Sequence, residues 1–208
     1  IAFTHGKGSF LFSEDGSKYL DYATGIAVNA FGHSHPDLID ALQDQASKLW
    51  HVSNLYKIPE QDKVASLLVK HSCADQAFFC NSGAEANEAA IKLCRKYGFD
   101  NGIKNPTIVT MKGSFHGRTM ATLSATGNEK VHHGFSPLLS GFKHAEFGAI
   151  DELKTHLSNP DVVALMVEPI QGEGGINIPP INYLKKLREV CDQYRKICLL
   201  YTSDAADE

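Results

Sequence analysis

The chain has 208 residues, of which 43% are hydrophobic and 21% are charged, a composition typical of a folded globular protein and not of a disordered chain. Its formal net charge of -4 gives no long-range attraction to nucleic acid or to an anionic membrane surface. No stretch approaches the roughly 18 to 20 apolar residues of a membrane-spanning helix. The sequence therefore predicts no nucleic-acid partner and no membrane partner, and it favours small-molecule ligands.

The cysteines bear on the cellular compartment. They form an odd set without a CxxC pair, which indicates neither a disulfide framework nor a zinc ribbon. The set comprises Cys73, Cys80, Cys94, Cys191 and Cys198. We expect a reducing, cytoplasmic location. The chain begins at Ile1 and not at Met, so organellar targeting stays open.

The N-terminal region predicts a hairpin followed by two helices. Apolar and polar residues alternate around Asp15 and Gly16, which predicts two short antiparallel strands within residues 8–22. Pro36 is suited to the first position of a helix. The apolar residues that recur after it at helical spacing are Leu38, Ile39, Leu42, Ala46 and Leu49. A second helix is expected over residues 60–71, with its apolar side chains inward: Val64, Leu67 and Leu68.

From about residue 77 the pattern changes to strands that alternate with helices. Short continuous apolar runs of the kind buried on both faces of a sheet are "AFFC" (77–80), "TIVTM" (107–111) and "VVALMVEP" (162–169). Helices are expected near 84–97, 118–125, 149–157 and 181–194. The alternation predicts an α/β domain with a mostly parallel sheet, entered from an N-terminal arm.

In open α/β sheets ligands bind beyond the carboxyl ends of the strands, so the segments after the three runs are candidate site segments. After "AFFC", Ser82 can cap a helix, and the backbone amides of Gly83 and Ala84 remain open to a phosphate or carboxylate. The alternative for this segment is a plain capped helix that packs closely on the sheet.

The second segment, "KGSFHGRTMATLSATG", presents Phe115, His116 and Arg118 within four residues. Phe115 is suited to stacking on a flat ring, and Arg118 to a bidentate carboxylate contact. The alternative is a core phenylalanine, a satisfied turn histidine and a surface arginine.

The third segment places Glu168 at the end of a buried strand and Glu173 in a glycine-rich loop. A lone carboxylate at such a strand end is costly, so Glu168 should be paired, hydrogen-bonded or functional. A structural ion pair is the alternative. The histidine pairs His33/His35 and His132/His133 lack a third ligand at a fixed spacing, so no metal site is predicted.

Five blocks in order carry a family resemblance: "LDYATGIAVNAFGHSHP", "LWHVSNLY", "FFCNSGAEANEAAIKLCRKYG", "GSFHGRTMATLSATG" and "VEPIQGEGG". They resemble the class III, or ornithine-type, aminotransferases of the fold type I pyridoxal phosphate enzymes. The resemblance covers about residues 3–197, which correspond to about the N-terminal half of such an enzyme. It implies a homodimer and the transfer of an amine from an amino acid to a 2-oxo acid. N-acetylornithine is the first candidate donor; ornithine, succinylornithine and 4-aminobutyrate are alternatives.

The resemblance also implies roles for the residues already singled out. The amides of Gly83 and Ala84 would hold the phosphate of pyridoxal 5'-phosphate, Phe115 would stack on its ring, and His116 would lie beside it. Arg118 would take the substrate α-carboxylate. The remaining implied contacts are Glu168 near the cofactor, Glu173 as a gate carboxylate, and Asn54, Tyr56 and Phe10 at the mouth of the substrate site.

The sequence departs from the family at two points. Tyr201 stands where an Asp-Glu-Val-Gln block should supply the partner of the pyridine nitrogen, and no lysine stands in the Schiff-base motif. We therefore assign no catalytic residue and expect this chain by itself to be inactive; a noncatalytic module that binds a phosphorylated small molecule is the alternative. The expected domains are an N-terminal arm and small-lobe segment (1–58), a partial cofactor-binding domain (59–197), and a non-native tail (198–208) whose sequence resembles a translated sequencing adapter.

Overall fold

The computed structural model describes residues 1–201, which form two compact units that divide between Phe79 and Cys80. The first unit begins with a three-stranded antiparallel sheet of β1 (Phe3–Lys7), β2 (Phe10–Ser13) and β3 (Lys18–Leu20), in that order. Ser13 Oγ donates to Asp15 Oδ1 at 2.5 Å in the β2–β3 turn, and Gly16 adopts a positive φ of 84°. The predicted hairpin is confirmed, and β1 adds a strand that its mostly exposed residues did not signal.

Three helices complete the first unit: α1 (Thr24–Ala27), α2 (Pro36–Ala46) and α3 (Pro59–His71). Both α2 and α3 begin at a proline, whose fixed φ and missing N–H suit the first helical position. The inward orientation predicted for Val64, Leu67 and Leu68 is wrong, because these side chains are 46%, 57% and 50% exposed. Helical spacing identifies an apolar face, but burial needs a second surface, and the described residues of the first unit do not supply one.

His33 has a structural role in the first unit. Its Nε2 lies 2.7 Å from Asp21 Oδ2, and its backbone pairs with Gly8 through two hydrogen bonds. The hydrogen bond from His33 lowers the pKa of Asp21. A Cβ on Gly6 would lie 2.5 Å from Cγ of His33, so this close approach requires glycine.

The second unit is built on a parallel sheet with the strand order β5-β4-β6-β7. The strands are β4 (Thr107–Met111), β5 (Phe142–Ala145), β6 (Val162–Val167) and β7 (Ile197–Leu200). The helices are α4 (Gly83–Asp100), α5 (Met120–Ala125), α6 (Glu129–His132), α7 (Ile150–Leu157) and α8 (Tyr183–Gln193). The predicted α/β class, the parallel sheet and four predicted helices are confirmed.

Each face of this sheet carries its own hydrophobic cluster, because successive strand residues point to opposite faces. One cluster joins Val109 and Leu165 to α7 and α8, and includes Leu153, Leu157, Leu187 and Cys191. The other joins Ile108 and Met166 to α4 and α5, and includes Ile91, Cys94, Ala121 and Ala125. The helices therefore cover both faces, and the carboxyl edge of the sheet is left to the loops.

Two strand predictions differ from the structure. The strand predicted over residues 77–80 is wrong: this segment pairs with no strand within residues 1–201, and Phe78 and Phe79 are 79% and 39% exposed. An apolar run becomes a strand only when a neighbour accepts its backbone hydrogen bonds. Strand β5 was missed because Lys143 and His144 interrupt its apolar character.

The structural division at residue 79 differs from the predicted one at residue 58, since α3 groups with the first unit. The assignment of residues 1–58 to an arm and small-lobe segment and of residues 59–197 to a partial cofactor-binding domain stays a prediction. Of the tail predicted to be non-native, residues 198–200 form most of β7, which pairs with β6. Residues 202–208 lie outside the described part of the chain.

Candidate functional site

The start of α4 is a capped helix terminus in the second unit. Ser82 Oγ accepts a hydrogen bond from the Glu85 amide at 3.2 Å, and Glu85 Oε2 accepts one from the Asn81 amide at 2.8 Å. This reciprocal arrangement directs Glu85 back toward Asn81. Gly83 and Ala84 occupy the first two helical positions, where N–H groups have no acceptor within the helix and the helix dipole is positive. The predicted cap is confirmed, and the geometry suits an anion.

The next turn of α4 ties this terminus to the segment that contains His116 and Arg118. Asn87 is buried, and its Nδ2 donates to the backbone oxygen of His116 at 2.9 Å. Glu88 Oε1 accepts from Thr119 Oγ1 at 2.5 Å and from the Ala121 amide at 3.2 Å. Glu88 therefore holds the start of α5 and is directed away from the helix terminus.

Gly117 brings the turn after β4 close to the same terminus. Its φ of 123° is one that side-chain-bearing residues rarely adopt. A Cβ at this position would lie 2.7 Å from Thr122 Oγ1 and 3.1 Å from Cβ of Ala84. The phosphate-suited terminus and the turn that bears Phe115 and His116 are therefore neighbours, although the run at 77–80 that precedes the terminus does not form the predicted strand.

The loop after β6 packs on the loop after β4. Gln171 Nε2 donates to the backbone oxygen of Lys112 at 2.8 Å. A Cβ on Gly174 would lie only 2.2 Å from the backbone oxygen of Gly113, so the two backbones are in close contact. All three candidate segments thus meet at the carboxyl edge of the second-unit sheet.

Glu168 is fully buried at the end of β6, and both of its carboxylate oxygens are bonded to backbone amides. Oε2 accepts from Phe115 at 3.2 Å, and Oε1 accepts from Gly172 at 2.9 Å. The expectation that this carboxylate is hydrogen-bonded is confirmed. It joins the two loops directly, and its contact with a ligand stays a prediction.

His116 is an imidazole buried without hydrogen bonds to its ring. Its backbone is satisfied, since the amide donates to Thr126 Oγ1 at 3.0 Å, but within residues 1–201 neither ring nitrogen has a hydrogen-bond partner. Burial, with a smaller contribution from the charge of His144, lowers the pKa of His116 to about 3. Two unpaired polar atoms in a buried ring are expensive, which favours a polar ligand beside them.

The depressed pKa predicts an acid-dependent loss of stability that a His116→Gln variant should lack. The folded state favours neutral His116, so its contribution is complete above pH about 6.5 and is lost as the pH falls from there toward 3. Below pH 6.5 the loss approaches about 1.4 kcal/mol per pH unit. We expect urea unfolding at pH 4.5 and 7.5 to show a pH-dependent loss smaller by about 3 kcal/mol in the variant. An equal pH-dependent loss of stability in the wild type and in the variant would contradict the attribution of this loss to His116.

A cavity of about 310 Å³ opens beside these loops. It is lined by three of the predicted site residues, Phe115, Arg118 and Glu173, together with Gly117, Leu123, Lys130, Val131, His133 and Phe135. The Arg118 guanidinium carbon lies 5.9 Å from the centre of the Phe115 ring. Arg118 and Glu173 are exposed, whereas Phe115 also packs in the cluster beneath α4 and α5.

Sequence reasoning missed the contribution of α6 to this cavity. Lys130, His133 and Phe135 come from a polar four-residue helix and the loop after it, where no apolar periodicity indicates which side faces a site. The residues expected at the substrate mouth, Phe10, Asn54 and Tyr56, belong to the first unit, and their role stays a prediction.

Among residues 1–201, no group of three His, Cys, Asp or Glu side chains is placed to hold a metal ion. No helix within the same residues is long and apolar enough to cross a membrane.

The helix terminus, the turn of Phe115 and His116 and the cavity thus lie at the carboxyl edge of a parallel sheet, where α/β proteins commonly bind ligands. The comparison with protein families shows to which family this α/β chain belongs. The aminotransferase class-III family matches residues 1–200, and the chain belongs to this family.

Individual relatives agree with the family. The chain is 51% identical over 194 residues to an acetylornithine aminotransferase of Rhodobacter capsulatus, a match that covers 93% of this chain and 49% of the relative. A crystal structure of N-acetylornithine aminotransferase from Stenotrophomonas maltophilia is 38% identical, with a TM-score of 0.81 over 96% of this chain and 50% of that one. The ornithine aminotransferase of Toxoplasma gondii is 28% identical, with a TM-score of 0.92 over 96% of this chain and 48% of that one. The chain thus spans about half the length of the relatives it matches.

Proposed function

We propose that this chain is the N-terminal half of a pyridoxal phosphate-dependent aminotransferase that moves the amine of N-acetylornithine to 2-oxoglutarate, a step of arginine biosynthesis. The observation that carries the proposal is the contact between the capped start of α4 and the turn of His116 and Gly117. This contact supports the proposal, because it brings a helix terminus that suits an anion next to the buried Phe115 and His116. The names of the 51% identical and 38% identical relatives support the choice of acetylornithine over ornithine, succinylornithine or 4-aminobutyrate.

The residues present fit one end of the cofactor. The amides of Gly83 and Ala84 suit the phosphate. The unpaired ring nitrogens of His116 and the Phe115 ring suit a flat, polar heterocycle beside them. When bound, the cofactor supplies the electron sink for transamination.

The chain's own residues then bind and orient the substrate. Arg118 holds the substrate α-carboxylate, with Glu173 facing the same cavity. Glu168 and Asn87 fix the backbone at Phe115 and His116, so the site needs little rearrangement when a ligand enters. By family, the proposed full-length enzyme is a cytoplasmic homodimer.

We expect the 208-residue chain to bind pyridoxal 5'-phosphate reversibly but not to form a stable covalent adduct. The reason is that none of its lysines stands in the family's cofactor-lysine motif. Titration followed by absorbance, then borohydride reduction and intact-mass measurement, checks this expectation. A stoichiometric, borohydride-trapped adduct on one lysine would contradict it.

Sequencing of the gene past codon 197, followed by expression of the protein that the native continuation encodes, tests the activity itself. We expect the continuation to encode Asp-Glu-Val-Gln and a later cofactor lysine, and the extended protein to transfer the amine of N-acetylornithine to 2-oxoglutarate. A continuation without both features would reject the aminotransferase proposal. If the extended protein binds pyridoxal 5'-phosphate but does not transfer the amine, the result would favour the noncatalytic binding module.

A further inference from the structure

We propose that a second cavity, at the amino edge of the second-unit sheet, binds a phosphate group in contact with Arg95. This cavity has a volume of about 410 Å³ and lies where β4 and β5 begin. Its lining comprises Arg95, Phe99, Lys104, Asn105, Pro106, Thr107, Ser140 and Gly141. The site is additional to the proposed function, because no residue of this lining takes part in the cofactor or substrate contacts proposed above.

The cavity is distant from the predicted phosphate contact at Gly83. Arg95 and Gly83 both belong to α4, and a rise of 1.5 Å per residue separates them by about 18 Å along the helix. Strand β4 also runs between the two places: Thr107, its first residue, lines the cavity, and Met111, its last, precedes the turn of the candidate site. A ligand in this cavity therefore does not occupy the cofactor site.

The guanidinium of Arg95 is held in position by its surroundings. Nη2 donates to the backbone oxygen of Ser140 at 2.5 Å, and the guanidinium carbon lies 5.6 Å from the centre of the Phe142 ring. A Cβ on Gly141 would lie 3.0 Å from Nη2, so the guanidinium packs directly against this backbone. A cation that is already fixed loses little conformational freedom when an anion binds to it.

The positive charge of Arg95 has no counterion in the described part of the protein. Within residues 1–201 Arg95 forms no ion pair, and of its N–H groups only one, on Nη2, has an acceptor. Its Nε is buried without a hydrogen-bond partner. Lys104, which also forms no ion pair within these residues, adds a second positive charge, and no acidic residue is among those that line the cavity. A half-buried guanidinium with open donors and an excess positive charge around it favours an oxyanion such as phosphate.

Phe99 offers an aromatic surface beside this cation. Its side chain is 72% exposed and lines the same cavity. Free phosphate and the phosphate group of an aromatic ester would share the contact with Arg95, whereas only the ester could also cover the Phe99 ring. The two ligands therefore differ in a contact that an experiment can remove.

Titration of the isotopically labelled 208-residue chain with inorganic phosphate tests the proposal, with the arginine Nε–H signals followed by NMR spectroscopy. Arg95→Lys identifies the Arg95 signal by its loss. We expect this signal to shift in a saturable manner. The Arg188 signal should stay in place, because its guanidinium is already paired with Asp192 at 2.5 Å. The Arg95 signal reports this cavity alone, so the result is independent of whether the chain binds pyridoxal 5'-phosphate.

Two lysine variants test the charge argument. Lys104→Met should weaken phosphate affinity by about twofold to fivefold at low ionic strength, since an exposed cation contributes modestly and salt screens it. Lys185→Met is the matched control, because Lys185 is an exposed lysine of α8, which packs on the other face of the sheet, and should leave the affinity unchanged. The absence of a saturable Arg95 shift, or equal affinities in the two variants, would overturn the proposal.

Phenyl phosphate distinguishes the two sources of the phosphate group. Tighter binding than that of inorganic phosphate, lost in Phe99→Ala, would assign the cavity to an aromatic ester. Equal affinities would assign it to the free anion. Either result supports the contact with Arg95, whereas binding of both ligands without a shift of the Arg95 signal would reject it.

Discussion

Replacement of Glu168 by alanine is expected to lower the free energy of unfolding by about 3–5 kcal/mol. The side chain is fully buried, and it accepts hydrogen bonds from the amides of Phe115 and Gly172. Alanine would leave the buried Phe115 amide unpaired, at a cost of about 1–3 kcal/mol, would remove the acceptor of the part-buried Gly172 amide, and would open a cavity between the two loops. Urea unfolding followed by far-ultraviolet circular dichroism measures the loss.

Two variants show whether the carboxylate itself is responsible. Glu168→Gln keeps the volume and one acceptor oxygen but directs an NH₂ group at the other amide, so we expect an intermediate loss of about 1–3 kcal/mol. Glu173→Ala removes an exposed carboxylate from the same loop and should stay within about 0.5 kcal/mol of the wild type. A loss below about 1 kcal/mol for Glu168→Ala would show that the two amides find other partners and that this carboxylate does not organise the loops.

The sequence predicted those strands of the sheet that are buried on both faces. The runs at 107–111 and 162–167 are continuously apolar because helices cover both sides of β4 and β6. Among the described residues, edge strand β5 pairs with β4 alone, and it carries Lys143 and His144, so its composition resembles that of a loop. Residues 77–80 have the apolar composition of a strand but lack a paired neighbour in the described structure. Composition predicts that a segment can form a strand, and only tertiary pairing decides whether it does.

The candidate site was predictable to the extent that it depends on loop position. The rule that ligands bind at the carboxyl ends of strands singled out the segments of His116 and Glu168, which follow β4 and β6. It also singled out the segment of Gly83, which follows a run that is not a strand in the described structure, and the structure brings all three together. The backbone bonds of Glu168 and the unpaired ring of His116 depend on loops distant in sequence, which local patterns do not encode. The same holds for Lys130, whose place in the cavity results from the packing of α6 on α5.

Gly83→Pro is expected to weaken pyridoxal 5'-phosphate binding by about tenfold, because it removes one donor to the phosphate without disrupting α4. Proline is tolerated at the first helical position, since that N–H has no acceptor in the helix. Ser82 already has an extended ψ of 165°, which is compatible with a following proline. Gly83→Ala is the matched control, because it adds a side chain and retains the amide hydrogen.

The most direct test of the central claim, that the start of α4 holds the cofactor phosphate, is the ratio of the dissociation constants of pyridoxal and pyridoxal 5'-phosphate. It should be measured for the wild-type chain, Gly83→Pro and Gly83→Ala. We predict a strong preference for the phosphorylated ligand in the wild type, a preference about tenfold smaller in Gly83→Pro, and no comparable change in Gly83→Ala. A phosphate preference that proline leaves intact, or its absence from the wild type, would contradict the account.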